Sequence, residues 1–236
     1  MKTIFHPAAA RGHAQHDWLE SWHSFSFAGY YDPEKIHFGL LRVLNDDAIA
    51  AGRGFGRHPH NDMEIISIPL VGALQHNDST GRNEIIRRGE VQIMSAGSGI
   101  EHSEVNASET DPAKFLQIWI FPKEKGISPQ YAQKIFPEAG RINKLQTVVA
   151  PGGQDDALPI NQDAWLSLGH FTEKTIVKYQ VKKEGNGVYV FVLEGSVRIG
   201  EHTLLRRDAL GVAETADFPM EIEPGSDLLL IDIPMR

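Results

Sequence analysis

Residues 52–60 read Gly-Arg-Gly-Phe-Gly-Arg-His-Pro-His, and residues 95–104 read Ser-Ala-Gly-Ser-Gly-Ile-Glu-His-Ser-Glu. In extended backbone, alternate side chains point to one face and lie about 6.5 to 7 Å apart. His58 and His60 can therefore chelate from one strand, and His102 and Glu104 repeat that spacing on another. If the two segments lie side by side in a sheet, three imidazole nitrogens and one carboxylate oxygen surround one point. Such a donor set suits a divalent transition metal, whether iron, manganese, nickel, copper, zinc or cobalt. The chain has no cysteine, which argues against a structural zinc site, where four closed ligands including sulfur are usual. An open coordination position is expected. With eleven histidines, a pair two apart can arise by chance. The glycines weigh against chance: Gly52, Gly54 and Gly56 precede the first pair, and Gly97 and Gly99 the second, where strands turn sharply or backbones approach closely.

Around these stretches, short β-branched and apolar runs alternate with Gly, Pro, Asn and Asp, and helical periodicity is scarce. Runs such as Glu64 to Leu70, Phe115 to Phe121, Val188 to Leu193 and Leu228 to Ile233 read as strands, and the fold class is all-β, of sandwiches or barrels. Pro69 interrupts one run and marks a bulge or a stretch whose N–H is not needed by a neighbour. One helix is expected from Ser128, as N-cap, through Pro129 to Phe136, where Pro137 stops it. It would connect two domains, 1–136 and 137–236, each long enough to bury a core. A weak repeat supports the division, since Leu70-Val71-Gly72-Ala73-Leu74 resembles Leu193-Glu194-Gly195-Ser196-Val197. Aligning Gly72 with Gly195 places Val181, Lys183 and Gly187 at the positions of His58, His60 and Glu64, so the second copy carries no ligand pair. Glu221 and Glu223 fall near the positions of His102 and Glu104 and read as solvated strand residues.

Composition excludes several functions. A net charge of −8 offers no general attraction for nucleic acid or anionic membrane. The start, Met1 to Pro7, lacks the apolar run of a signal peptide, and no apolar stretch is long enough to span a bilayer. A cytoplasmic, monomeric protein is the default expectation.

Gly52 to Gly72 resembles the first cupin motif: glycine, five residues, His-x-His, three residues, glutamate and then a glycine, with one extra residue in the last interval. Residues 95–104 resemble the pirin version of the second motif, ending Gly-x-Gly-x-x-His-Ser-Glu, with Ser95 in place of the usual proline. Trp22 to Phe27, Tyr31-Asp32-Pro33, Leu41 to Asp47 and Gln117 to Ile120 are also similar to bacterial pirin-like proteins. The resemblance covers residues 10–136. It implies a bicupin, two jelly-roll barrels face to face, with one non-haem metal, usually iron, in the N-terminal barrel. The ligands it implies are His58, His60, His102 and Glu104. Glu64, which other cupins use as the fourth ligand, would orient a ligand or contact a substrate. Family membership is compatible with a quercetin 2,3-dioxygenase-like enzyme acting on a small molecule and O2. In that reading Glu104 is also the base for a flavonol 3-hydroxyl, and ring cleavage releases carbon monoxide. The alternative is a redox-sensing regulatory protein whose metal adjusts a surface for a protein partner; a third is another metal enzyme on the same barrel.

Phe55, Met63 and Gln117 are candidates to line the pocket, as is Trp119, which shares a strand face with Gln117 by alternation. His13, His16 and His23 sit among Trp18, Trp22, Phe25 and Phe27 and read as a packed N-terminal segment rather than a second metal cluster. His76, His170 and His202 lie near expected turns and read as surface residues.

Overall fold

The computed structural model describes residues 1–236, and its regular structure is twenty-two strands with three single 3-10 turns. No helix is long and apolar enough to cross a membrane. One seven-stranded sheet runs in the order β12 (Gln130–Ile135), β9 (Glu90–Ser95), β6 (Glu64–Val71), β11 (Ala113–Ile120), β4 (Leu41–Ile49), β3 (Leu19–His23) and β2 (Gly12–Gln15). A four-stranded sheet covers it: β5 (Gly54–His60), β10 (Ile100–Asn106), β7 (Ala73–Asp78) and β8 (Asn83–Arg87). The second half repeats this plan. Its larger sheet is β1 (Lys2–His6), β20 (Ala209–Ala213), β17 (Asn186–Glu194), β22 (Ser226–Pro234), β15 (Trp165–Phe171), β13 (Leu145–Pro151) and β14 (Leu158–Ile160). Its smaller sheet is β16 (Thr175–Gln180), β21 (Asp217–Ile222), β18 (Ser196–Ile199) and β19 (His202–Leu205).

The two seven-stranded sheets pack back to back. The largest buried cluster has 26 residues drawn from both, including Leu44, Ile66 and Ile118 on one side and Tyr189, Leu229 and Ile231 on the other. Strand alternation assigns the remaining side chains. On β11, Leu116, Ile118 and Ile120 enter this shared core, so Phe115, Gln117 and Trp119 turn into the N-terminal sandwich. On β17, Tyr189 and Phe191 enter it, while Val188, Val190 and Val192 fill the C-terminal sandwich together with Phe171, Phe218 and Met220. Both faces of these strands are buried, so their apolar runs are continuous.

The N terminus is shared, because β1 pairs with β20 in the C-terminal sheet. A further link is the buried Arg207, whose Nε donates to Asp46 Oδ2 at 2.6 Å across the two halves.

The connecting helix expected at Ser128–Phe136 is absent. Gln130–Ile135 is strand β12, paired antiparallel with β9 from Gln130↔Ser95 to Ile135↔Glu90, and only a 3-10 turn, Glu138–Arg141, follows it. The Ser-Pro cap signal is local and weak; Tyr131 instead packs on Ile65, Met94 and Ile100, and that tertiary pairing prevails. Pro69 behaves as expected. Opposite it the register slips, Lys114 facing Val71 and Phe115 facing Pro69, so that Leu70 is the extra residue of a bulge.

Two glycines hold the strands that carry the histidines. A Cβ on Gly54 would lie 2.4 Å from the Glu104 carbonyl oxygen and from Val105 Cα, and Gly97, at φ 50°, would place one 2.1 Å from the Ile127 carbonyl oxygen. Gly54→Ala should therefore force β5 and β10 apart and destabilise the fold by about 1 to 3 kcal/mol. Urea unfolding of Gly54→Ala beside Gly56→Ala, where a Cβ meets nothing within 4 Å, measures the effect; equal losses would contradict it.

Candidate metal centre

β5 and β10 are neighbours, with His102 directly opposite His58. The register then shifts, so that Glu104 faces Phe55 and two residues of β5, Gly56 and Arg57, oppose Ser103. This bulge re-aims the strand beside the site. Ring centroids of His58, His60 and His102 are 4.5 to 4.9 Å apart in every pairing.

The three imidazoles aim nitrogen at one point. His58 Nδ1 lies 2.7 Å from the Gly56 carbonyl oxygen, which can only accept, so Nδ1 carries the proton and Nε2 presents a lone pair. That Nε2 is 3.1 Å from His102 Nε2. His60 Nε2 is buried without a hydrogen-bond partner. Two nitrogens at about 2.1 Å from one metal and at right angles to each other stand about 3 Å apart, so this spacing and the orphaned nitrogen fit a divalent transition metal. The electrostatics agree. Burial, followed by the neighbouring His58, pushes His60 down to about 4. Burial, then His58, His60 and His76, pushes His102 far below the ordinary histidine value. Neutral imidazole is the form that ligates.

Glu104 is buried just behind this trio. Its Oε1 accepts from Ser67 Oγ at 2.7 Å and its Oε2 from Gln117 Nε2 at 2.5 Å. A ligating oxygen of Glu104 lies within 4.8 Å of nitrogens of His102 and His76, a second potential donor group beside that of His58, His60 and His102. Glu64 stands elsewhere. It shares a strand face with Ile66 and Ile68 of the common core, and its Oε2 accepts from Ser95 Oγ at 2.7 Å and from the Asn161 N–H at 3.2 Å. Burial raises its pKa, partly offset by those two bonds. Strand alternation thus puts Glu64 and Ser67 on opposite faces of β6, with Glu64 toward the core between the halves.

Around the histidines, the Trp119 ring meets His60 edge-on at 4.9 Å, its Nε1 buried and unpaired. Met63 packs with Trp119 on the Ile65, Met94 and Ile100 cluster. Phe55 meets Trp18 edge-on and packs on Leu74 and Phe115. His13 stacks on Trp22 at 4.0 Å, and His23 packs against Phe27 and bonds Ser21, outside any cluster of ligands. His170 pairs with Asp227 and His202 stacks on Phe5, both partly exposed.

His76 corrects the surface reading: it is fully buried, opposite Glu104, with Nε2 3.0 Å from Asp78 Oδ2 and Nδ1 3.5 Å from His102 Nδ1. His76 and Asp78 show the same i, i+2 spacing as the other pairs, the one sequence signal for them. Ser67 and Asp47, both buried, carry no comparable signal in the sequence. Asp47 is buried and raised to about 7 by burial, against a hydrogen bond from Ser21. A cavity of about 1120 Å³ lined by Phe38, Lys183 and Asn186 contains none of these histidines.

Residues 5–120 match the family model described as Pirin, and residues 147–233 match that of the quercetinase C-terminal cupin domain. A quercetin 2,3-dioxygenase of Escherichia coli K12 is 42% identical over 227 residues, 96% of each chain. This chain belongs to the pirin family. A pirin-like protein of Caulobacter vibrioides is 40% identical over 94% of this chain and 95% of its own. The solved structure of the bacterial pirin YhhW from E. coli, in complex with nickel(II), superposes with a TM-score of 0.93 at 40% identity, covering 99% of both chains. The two sandwiches are accordingly the two halves of a bicupin. A quercetin 2,3-dioxygenase of Acinetobacter baumannii, 17% identical with a TM-score of 0.76 over 99% of this chain and 78% of its own, shares the fold.

The depressed histidines make a signed prediction. The unfolded chain titrates histidine at its ordinary value of 6.5 and the folded chain titrates His60 near 4, so the unfolded state binds more protons in between. The stability tied to a neutral His60 is present above about pH 6.5 and is lost as pH falls toward 4. In metal-free protein, His60→Gln should gain on wild type by about 1 kcal/mol between pH 7 and pH 5. Chemical unfolding at both pH values checks this, and a gap that narrows toward low pH would contradict it.

Proposed function

We propose that this pirin-family protein is a metal-dependent dioxygenase that opens flavonols such as quercetin with O2 and releases carbon monoxide. The carrying observation is the convergence of three imidazole nitrogens beside a buried carboxylate in the N-terminal sandwich. The names of the relatives support quercetin as the substrate to try first. His58, His60 and His102 would hold the metal, with Glu104 as the fourth ligand and iron as the physiological ion. When bound, the metal supplies charge stabilisation for a deprotonated flavonol and a means of coupling it to O2.

The remaining work falls to this chain's side chains. Glu104 takes the proton of the flavonol 3-hydroxyl. Ser67 and Gln117 hold its two oxygens and so fix where that proton arrives. Met63, Phe55 and Trp119 offer apolar surface for a flat aromatic substrate and keep water from the reacting oxygen.

Anaerobic purification with metal analysis, followed by O2 uptake and carbon monoxide detection with quercetin, tests the proposal. Wild type is expected to turn over in proportion to bound metal, and His60→Ala to lose both. Full metal occupancy without metal-dependent turnover would sink the dioxygenase reading and favour the regulatory one. For the fourth ligand, Glu104→Ala should lose most of its metal, whereas Glu64→Ala should keep it; the reverse order would transfer the role to Glu64.

A further inference from the structure

Behind His102, on the side away from His58, stand two buried residues to which the proposed reaction gives no task. Asp78 closes the β7–β8 turn. Its Oδ1 accepts from the Thr80 N–H at 2.8 Å, the Thr80 hydroxyl at 2.6 Å and the Arg82 N–H at 3.4 Å. Its Oδ2 is left to His76 Nε2 at 3.0 Å. Both side chains are entirely shielded from solvent. A carboxylate only accepts, so the His76 proton sits on Nε2 and its Nδ1 carries a lone pair. That Nδ1 faces His102 Nδ1 at 3.5 Å. Two lone pairs cannot face each other without repulsion, which favours a His102 proton on Nδ1; on the other side of the ring Nε2 meets the His58 Nε2 lone pair at 3.1 Å, a repulsion that a cation held between the two nitrogens removes.

We propose that Asp78 and His76 are positioning residues that lock His102 into the Nδ1-protonated tautomer, so that its Nε2 lone pair is aimed at the metal site. This rests on the metal reading given above for His58, His60 and His102. The order of bonds runs Asp78 carboxylate, His76 Nε2–H, His76 Nδ1, His102 Nδ1–H, His102 Nε2. For His58 the Gly56 carbonyl performs the same task directly. The His102 ring nitrogens meet His76 and His58 and no carbonyl group, so the orienting acceptor has to come from side chains. Orienting partners of this kind typically change metal affinity about 10- to 100-fold when removed.

Asp78→Asn discriminates sharply. The turn's donors at Thr80 and Arg82 claim the amide oxygen, which directs the amide NH2 at His76 Nε2. His76 must then protonate Nδ1, and His102 must move its own proton to Nε2, onto the metal side. The test uses the full metal-free chain, titrated with nickel(II) by calorimetry, with the histidine tautomers read by two-bond 15N–1H NMR. Wild type is expected to bind one nickel and to show His102 protonated at Nδ1. Asp78→Asn should bind about 10- to 100-fold more weakly and show the Nε2-protonated form. His76→Leu should lose affinity equally. His76→Asn, whose amide oxygen takes the place of Nδ1, should recover most of it. Unfolding curves of the metal-free variants separate this from loss of fold.

Unchanged affinity and tautomer in folded Asp78→Asn would overturn the positioning role while leaving the metal site intact. Failure of wild type to bind nickel would instead overturn the metal reading. Two nickel ions per wild-type chain, one lost in His76→Leu, would also overturn the relay, since His76, His102 and Glu104 would then be a second ligand set.

Discussion

The pairing of β5 with β10 is the contact on which the functional interior depends. Strand side chains have a period of two, so a slip of one residue would bring Pro59 and Ser103 inward and send the histidines out. The observed register sets His102 against His58, and the bulge at Gly56 and Arg57 absorbs the mismatch before Glu104. Gly54 allows the two backbones to meet more closely than any Cβ would permit. Held this close, His60 and His102 lose hydration beside neighbouring imidazoles, which disfavours their charged forms and costs folding free energy. A fold carrying that cost needs apolar burial elsewhere to offset it.

That offset explains the asymmetry of two halves built on one plan. The C-terminal sandwich is filled mainly by a cluster of fifteen buried hydrophobic residues, with Ser167, Asn186 and Asp232 as buried polar side chains on the same strand faces and the Tyr179 hydroxyl donating to Asp232. The N-terminal interior instead buries Asp47, Ser67, His76, Gln92, His102, Glu104 and Gln117. The apolar clusters on its two sides hold only five and four fully buried members. The shared 26-residue core welds the two together, so the half with the polar interior leans on the half that is packed like an ordinary domain. At the place of β5 that half has β16 (Thr175–Gln180), which carries no histidine, while Val181 and Lys183 of the ungapped alignment fall just beyond it.

The sequence made the histidine pairs legible because their information is local: a period of two, flanked by glycines with a steric reason to be there. The same periodicity disclosed most strands and, through Gly72 and Gly195, the duplication. Two readings failed where the deciding contact was distant. Ser128 and Pro129 signal a helix start, but β9 offers Gln130–Ile135 a partner edge. His76 reads as a turn residue until β10 covers it. Glu64 shows the same dependence on distant partners: its strand face turns to the core between the halves, where Asn161 from the second half donates to it. No pattern in one strand reports what the neighbouring sheet presents to it.

The surroundings of Glu104 bear on how a carboxylate held by two donors can still receive a proton. Ser67 Oγ stands 2.7 Å from Glu104 Oε1 and 3.3 Å from Gln117 Oε1, and it has one proton to give. Rotating that hydroxyl toward Gln117 leaves Ser67 Oγ with a lone pair facing Glu104 Oε1, ready to accept from a newly protonated carboxyl. Gln117 Nε2 keeps its bond to Oε2 throughout, so the carboxyl stays in place as its charge changes. An alanine at position 67 would leave Oε1 without either function, whereas a threonine would preserve both. If Glu104 is the base of the proposed reaction, Ser67 is the residue that would let it be firmly held and still exchange a proton, a combination that a fixed donor such as a backbone N–H could not provide.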